Sequence, residues 1–262
     1  MPIQNRITDL EAYKAQFPYP MIEGVFEFHV FLTPLFPSEQ ILSKYLAITN
    51  QINESRKGSG LNPIKPCHLA LDYKQKGYVR VLQSSRYYTT NDIEDAIKKC
   101  NKEADLYQSM FDEALAKGEI SEQVNVVRTK LECLASSHGV PKTNKEAEQY
   151  PSKYFEFHIR VRRKNPNNMK PVTEEELNEL KELSIKFTEQ FGVPVPLSYN
   201  NNNEMQRFFN LRCRNCGSEE ALLKASKIVE AINASDNFVF EKQISEYVPY
   251  DDFTKMDISW ID

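Results

Sequence analysis

The stretch VFEFHV at residues 25–30 recurs as YFEFHI at residues 154–159. Apolar and polar side chains alternate along both copies, which is the pattern of a β-strand with one buried face. A shared FEFH tetrapeptide could arise by chance, so the segments that follow each copy decide whether the chain carries an internal repeat. Those segments match in type and in order.

Each copy is followed by a predicted helix, two strands, a second helix and a closing strand. After the first copy, Pro37 and Ser38 precede a helical apolar pattern; after the second, Thr173 and Glu176 form a capping box before another. The remaining pairs of elements are strands at 69–73 and 195–199, strands at 78–82 and 207–212, helices at 92–117 and 219–234, and closing strands at 126–132 and 240–246.

The repeated order predicts an α+β fold of tandem duplicated ferredoxin-like (βαββαβ) units with antiparallel sheets. Residues 1–135 form the first half, 136–153 a polar linker, and 154–262 the second half with a C-terminal tail from Tyr247. Both helices of such a unit cover one face of its sheet, so the other face must meet water, a ligand or the other half. We expect a functional site on this open face.

Composition and charge narrow the class of protein. Apolar residues make up 40% of the chain and charged residues 27%, which is typical of a globular protein. The formal net charge of -4 argues against dedicated nucleic-acid binding. The sequence shows neither a signal-peptide core nor the run of about 20 apolar residues that spans a membrane. Five irregularly spaced cysteines favour reduced thiols, so we expect a soluble cytoplasmic protein.

Two Glu-His pairs are the candidate catalytic residues. Strand alternation turns the phenylalanines of both FEFH copies toward the helices and leaves Glu27, His29, Glu156 and His158 on the open face. Histidine beside carboxylates can act as general acid and base or bind a metal ion. The alternative is a cross-strand charge network that stabilises the sheet by roughly 0.2–1 kcal/mol per pair. A duplication would copy either arrangement.

Five further residues are candidates for ligand binding. The closing strands carry a second repeated pair, Arg128 with Glu132 and Lys242 with Glu246, and Arg160 continues the open-face row of the second half. The first and last strands are neighbours in a ferredoxin-like sheet, so these side chains should meet the Glu-His pairs. Arginine binds carboxylate or phosphate through two parallel hydrogen bonds, which predicts an anionic small-molecule ligand.

His68 is the candidate metal ligand. It lies on the second strand of the first half, and alternation predicts that it shares a face with Glu27 and His29. Imidazole and carboxylate groups together suit zinc, iron or manganese, so a divalent metal ion is the candidate cofactor. The alternative is that His68 only ends a strand.

Two classes of function follow from these patterns. The first is a small-molecule-binding protein or enzyme, for an anionic metabolite, with a Glu/His acid–base or metal site on the open sheet face. The alternative is a non-catalytic interaction or structural protein, whose open faces pack on each other, on a protein partner or in a homo-oligomer. The lone Cys213-Arg214-Asn215-Cys216 motif has no second pair of cysteines, which argues against a structural zinc site. We expect Cys213 in the core and Cys216 in a turn, and a redox role is the alternative because Cys216 precedes a predicted helix.

Overall fold

The computed structural model describes residues 7, 9–34, 36–72, 78–165, 172–200 and 206–253, without the side chains of 69–72, 78–81 and 200. The polar turns expected after the strands at 69–73 and 195–199, KQKG at 74–77 and NNNNE at 200–204, lie outside the described residues apart from the backbone of Asn200. The helices are α1 Leu10–Gln16, α2 Glu39–Ser55, α3 Ile93–Ala116, α4 Asn144–Ala147, α5 Glu174–Phe191 and α6 Ser218–Ala234. The strands are β1 Gly24–Leu32, β2 Lys65–Asp72, β3 Tyr78–Thr90, β4 Val126–Leu134, β5 Tyr154–Arg163, β6 Leu197–Asn200, β7 Arg207–Arg214 and β8 Phe238–Asp251.

Side-chain caps fix the ends of the helices that follow the two repeated strands. The Ser38 hydroxyl accepts a hydrogen bond from the backbone of Ile41 at the start of α2. At the start of α5, Thr173 and Glu176 form the predicted capping box. Helix α5 ends at Gly192, whose φ of 64° lies in the left-handed region that glycine adopts without strain.

All described strand pairings are antiparallel, and the eight strands close into one barrel in the order β1-β3-β2-β6-β7-β5-β8-β4. Strands β1 to β4 form one four-stranded sheet and β5 to β8 form the other, each with the β-α-β-β-α-β order. Two seams join the sheets, one between β2 and β6 and one between β4 and β8. The α+β class and the antiparallel pairing are confirmed.

The hydrophobic core lies between the outer face of the barrel and the helices. Phe26, Phe28, Phe155 and Phe157 are fully buried in it, as predicted. Their polar neighbours therefore point to the inside of the barrel, because successive side chains of a strand alternate between faces. The open faces of the two sheets turn toward each other and form the barrel interior.

The closing strand of the second half is longer than predicted. Strand β8 continues to Asp251, so residues 247–251 are part of a strand that pairs with β4 across the seam. Residues 254–262 lie outside the described part of the chain. The predicted linker contains the short helix α4, which begins with a capping box of Thr143 and Glu146.

None of the described helices is long and apolar enough to span a bilayer.

Candidate functional site in the barrel interior

The strand register brings ionisable side chains from both halves into the barrel interior. Glu27 lies opposite Glu132 on the β1–β4 ladder, and Glu156 lies opposite Glu246 on the β5–β8 ladder. Residues directly opposite in an antiparallel pair share a face of the sheet. We name the resulting set the interior cluster: Glu27, His29, Lys130, Glu132, Glu156, His158, Asn210, Arg212 and Glu246.

His29 is held on both ring nitrogens. Its Nε2 lies 2.5 Å from Glu132 Oε2, and its Nδ1 lies 2.6 Å from the Gln83 side-chain amide nitrogen. Because that amide nitrogen can only donate, Nδ1 accepts and the Nε2–H group donates to Glu132. The His29 side chain is 6% exposed. Both nitrogens of this histidine are therefore occupied by protein partners.

Among the described residues, His158 is hydrogen-bonded through one ring nitrogen only. Its Nδ1 lies 2.6 Å from Asn210 Oδ1, while the Asn210 amide nitrogen donates to Ser198 Oγ and to the Pro196 carbonyl. Those two acceptors fix the Asn210 amide, so Nδ1 carries the proton and Nε2 keeps a lone pair. Nε2 lies 3.4 Å from Glu246 Oε2.

Cations from both halves neutralise Glu156. Lys130 Nζ lies 3.0 Å from Glu156 Oε2 and also pairs with Glu132, and Arg212 lies 2.7 Å from Glu156 Oε1. Burial opposes ionisation of Glu156, but Arg212 and Lys130 hold its pKa well below the usual range. Burial likewise opposes ionisation of Glu132, whose pKa is lowered by His29 and Lys130. Both carboxylates are therefore ionised at neutral pH.

Glu246 differs from Glu132 and Glu156 because its carboxyl group is protonated. Burial, together with the charges of Glu132 and Glu27, raises its pKa to about 10. No hydrogen bond to its carboxyl group occurs among the residues that the structure describes, and His158 Nε2 is its neighbour. The interior cluster therefore combines a proton-bearing carboxyl group with an imidazole lone pair.

Two sets of side chains in the cluster are close enough to share a metal ion. In one, ligand atoms of Glu27, His29 and Glu132 all lie within 4.8 Å of one another; in the other, those of Glu132, His158 and Glu246 do. Glu132 belongs to both sets and therefore connects the two halves. In the second set the histidine offers a free lone pair, whereas in the first it donates to Glu132.

Six of the predicted site residues meet in the interior cluster: Glu27, His29, Glu132, Glu156, His158 and Glu246. Arg128 instead lies near one end of the barrel, where its Nη2 is 2.5 Å from Asp251 Oδ2. Arg160 Nε pairs with Glu241 at 3.0 Å, and Lys242 lies opposite Arg160. These two residues lie on the His158 side of the interior, beyond the cluster.

The structure does not bring His68 to this cluster. His68 lies opposite Leu82, which belongs to the core under the helices. Strand β2 is shifted by one residue from the predicted alternation, and Cys67, opposite Gln83, takes the interior position. A one-residue slip turns every side chain of a strand to the other face, so the sequence alone placed His68 on the wrong side.

Four members or neighbours of the cluster were not singled out from the sequence: Gln83, Ser85, Lys130 and Asn210. Lys130 could have been identified from the sequence, because it lies two residues from both Arg128 and Glu132 and strand alternation places it on the same face. Ser85 donates to Glu27, and Gln83 and Asn210 hold the histidines, but each role depends on strand register. Register across β3 and β7 is not readable from one sequence.

No protein-family model and no curated protein matches the sequence. Solved structures with a similar course of chain include an aldoxime dehydratase in complex with butyraldoxime, at 10% identity and a TM-score of 0.35, covering 89% of this chain and 87% of that one. A dye-decolorizing protein from V. cholerae has 10% identity and a TM-score of 0.26, with 90% and 96% covered. A heme-binding protein from Thermus thermophilus has 10% identity and a TM-score of 0.27, with 87% and 94% covered. Similarity at this level carries no information about function.

Proposed function

We propose that this protein binds a divalent metal ion inside the barrel through Glu132, His158 and Glu246, and that an anionic small molecule binds to that ion. The observation that carries the proposal is the lone pair of His158 Nε2, fixed by Asn210 and directed toward two buried carboxyl groups. A metal-binding histidine typically donates its other ring N–H to a neighbouring oxygen, which is the geometry of His158 and Asn210.

The charge balance of the interior cluster supports a cation. The cluster has four carboxyl groups, from Glu27, Glu132, Glu156 and Glu246, and two cationic side chains, Lys130 and Arg212. With all carboxyl groups ionised and both histidines neutral, the excess is two negative charges in a buried space. An uncompensated buried charge is strongly unfavourable, and without an ion a proton on Glu246 relieves part of it.

The ligand types restrict the ion and its chemistry. One imidazole nitrogen and two carboxylates suit zinc, iron or manganese, whereas calcium and magnesium prefer oxygen ligands alone. Three protein ligands leave a coordination position for water or for a bound molecule. A metal ion in such a site polarises a carbonyl or phosphoryl oxygen, or lowers the pKa of bound water. The proposal therefore includes an enzyme of the acid–base or Lewis-acid type.

The second candidate function is structural or an interaction role without catalysis. The observation that favours it is the pairing of Lys130 and Arg212 with carboxylates of the cluster, which joins the two halves without any ion. In that case the histidines only complete a charge network. The two functions make opposite predictions for His158.

The test is a calorimetric titration of metal-free protein with Zn²⁺, repeated with Co²⁺ to record the absorption of the bound ion. We expect one ion per chain. His158→Ala should weaken binding at least 100-fold, and His138→Ala is the matched control, because His138 is exposed in the β4–α4 connection and belongs to neither set of candidate ligands. His29→Ala should keep the ion but lower the stability of the fold by about 1–3 kcal/mol, because Glu132 loses one of its two partners and keeps only Lys130.

The reverse result supports the structural role. If metal binding is absent in the unaltered protein, or unchanged in His158→Ala, while both histidine variants lose stability, the metal site is wrong. The Co²⁺ absorption spectrum distinguishes binding inside the cluster from binding to surface carboxylates. A histidine nitrogen ligand changes that spectrum, and a site made only of glutamate side chains has no nitrogen ligand.

We also infer that the halves arose by duplication and that the protein works in a reducing compartment such as the cytoplasm. The repeated FEFH strand, the repeated element order and the shared interior position of His29 and His158 support the duplication. The five cysteines, all free thiols, support the reducing compartment. The division into residues 1–135, 136–153 and 154–262 stays a prediction.

A further inference from the structure

The two ends of the barrel interior differ in exposure. At one end Phe31, Arg128, Tyr154 and Asp251 are buried and contact one another: Arg128 lies over the Phe31 ring, and both Arg128 and Tyr154 donate to Asp251. At the opposite end, the interior-facing positions beyond Glu27 and Glu132 are open. Among the described residues, the interior is therefore closed at the first end and lined by exposed side chains at the second.

Three exposed apolar side chains surround that open end on the first half. Val25, Tyr87 and Leu134 are 48%, 52% and 57% exposed. Val25 and Leu134 are each two residues from a carboxylate of the cluster, about 7 Å further along their strands. Tyr87 lies opposite Glu27, and burial together with Glu27 raises the pKa of its phenol. We name these three residues the apolar rim.

The second half supplies a basic side to the same opening. Arg160 is two residues beyond His158 on β5 and faces the same way, with Lys242 opposite it on β8. The Arg160 side chain is 30% exposed, and Lys242 is exposed. Glu241 pairs with Arg160 Nε at 3.0 Å, and the guanidinium group has further N–H donors that can bind an anion. One rim is apolar and the facing rim is cationic.

We propose that the ligand of this site is a monocarboxylate with an apolar chain or ring, a class that rests on the proposed metal function. Its carboxylate binds the ion at His158 with Arg160 beside it, and its apolar part covers the apolar rim. Charge complementarity argues for this occupant: a neutral apolar molecule leaves the basic rim unused, and a small inorganic anion leaves the apolar rim in water. Exposed apolar side chains grouped at an opening are typical of a binding site.

The test is a calorimetric titration of the zinc-loaded protein with octanoate, acetate and octanol. We expect octanoate to bind at least tenfold more tightly than acetate or octanol. Only octanoate has both a carboxylate for the ion and the basic side chains and an apolar chain for the apolar rim. Leu134→Asp should weaken octanoate at least tenfold more than it weakens acetate, because the new charge opposite Glu246 repels both anions and only octanoate also loses an apolar contact. Leu223→Asp is the matched control, because Leu223 is 59% exposed on α6, outside the barrel, and should change neither.

Zinc titrations of the same variants distinguish the two proposals. If zinc binds normally but octanoate binds no better than acetate, or binds equally well to Leu134→Asp, the ligand class is wrong and the metal site stands. If zinc does not bind and octanoate still binds in a manner that depends on Leu134, the metal site is wrong and the ligand class stands. If neither zinc nor octanoate binds, both proposals are wrong.

Discussion

His29 and His158 occupy the same position in the repeated strand, yet the first is enclosed and the second is open. His29 uses both ring nitrogens on Gln83 and Glu132, and its side chain is 6% exposed. His158 uses only Nδ1, and its side chain is 29% exposed. The same local sequence therefore holds a structural histidine in one half and a ligand-competent histidine in the other.

The residue across the ladder explains the difference. Lys130 lies opposite His29 on β4, whereas Ile244 lies opposite His158 on β8. The Lys130 ammonium group neutralises Glu132 and reaches across to Glu156, so the carboxylates around His29 are paired. Ile244 carries no charge, so the residue opposite His158 supplies no cation to Glu246 as Lys130 does to Glu132. An asymmetry at one cross-strand position thus separates the roles of two similar halves.

The largest expected effect tests whether the halves are equivalent outside the interior. Phe28→Ala and Phe157→Ala remove equivalent, fully buried rings from the two cores. Each should lower the free energy of unfolding by roughly 3–5 kcal/mol, measured by urea denaturation. Strongly unequal losses would show that the asymmetry extends to the cores, and a near-neutral result for either would contradict its place in the core.

The second prediction sharpens the contrast between the histidines through their partners. Asn210→Leu removes the group that holds the proton on His158 Nδ1, and should weaken zinc binding about 10–100-fold. Gln83→Leu makes the matching change beside His29 and should leave zinc affinity within about threefold. Calorimetry of both variants checks this. Equal losses would mean that His29 and His158 contribute alike.

The smallest expected effect, taken per pH unit, comes from a comparison of two buried lysines. Lys130 lies between carboxylates, whereas Lys153 lies against the rings of Tyr13 and Tyr19 and close to the Phe17 carbonyl. Burial lowers the pKa of Lys153 to about 7, with Asp251 opposing the shift. Between that pH and about 10.5, the unfolded chain binds more protons than the folded one, so stability should rise with pH.

Replacing Lys153 isolates this dependence. Lys153→Met should remove a slope of at most about 1.4 kcal/mol per pH unit between pH 7 and 10.5, measured by denaturation at several pH values. Lys57→Met, in the exposed turn that follows α2, is the surface control and should keep the slope. An unchanged slope in Lys153→Met would show that the ammonium group stays charged in the fold.

Local patterns in the sequence were enough to predict most of the fold. Alternation around both FEFH copies placed the phenylalanines in the core, and the capping box at Thr173 marked the start of α5. Closure of the barrel was not predictable, because the β2–β6 and β4–β8 seams depend on pairing between distant strands. The open face of each sheet was expected to meet water, a ligand or the other half, and in the barrel it meets the other half.

The candidate site was predicted in part for the same reason. Glu27, His29, Glu156 and His158 follow from alternation within one strand. Glu132 and Glu246 follow from the neighbouring positions of first and last strands in each half. The exclusion of His68 depends on one residue of register in β2, and the choice of Glu132 as the shared carboxylate depends on contacts between halves. Neither is encoded in the spacing along a single strand.

The two seams have a consequence for any truncated form of this chain. A chain that ends before β5 leaves β2 and β4 as bare edges with unsatisfied backbone amides, and a chain that begins at β5 exposes β6 and β8 in the same way. Such edges invite pairing with another molecule. A separated half is therefore expected to self-associate, either into a symmetric two-chain barrel with identical histidines or into aggregates. A proteolytic cut between the halves is tolerated only while the two pieces remain paired along both seams.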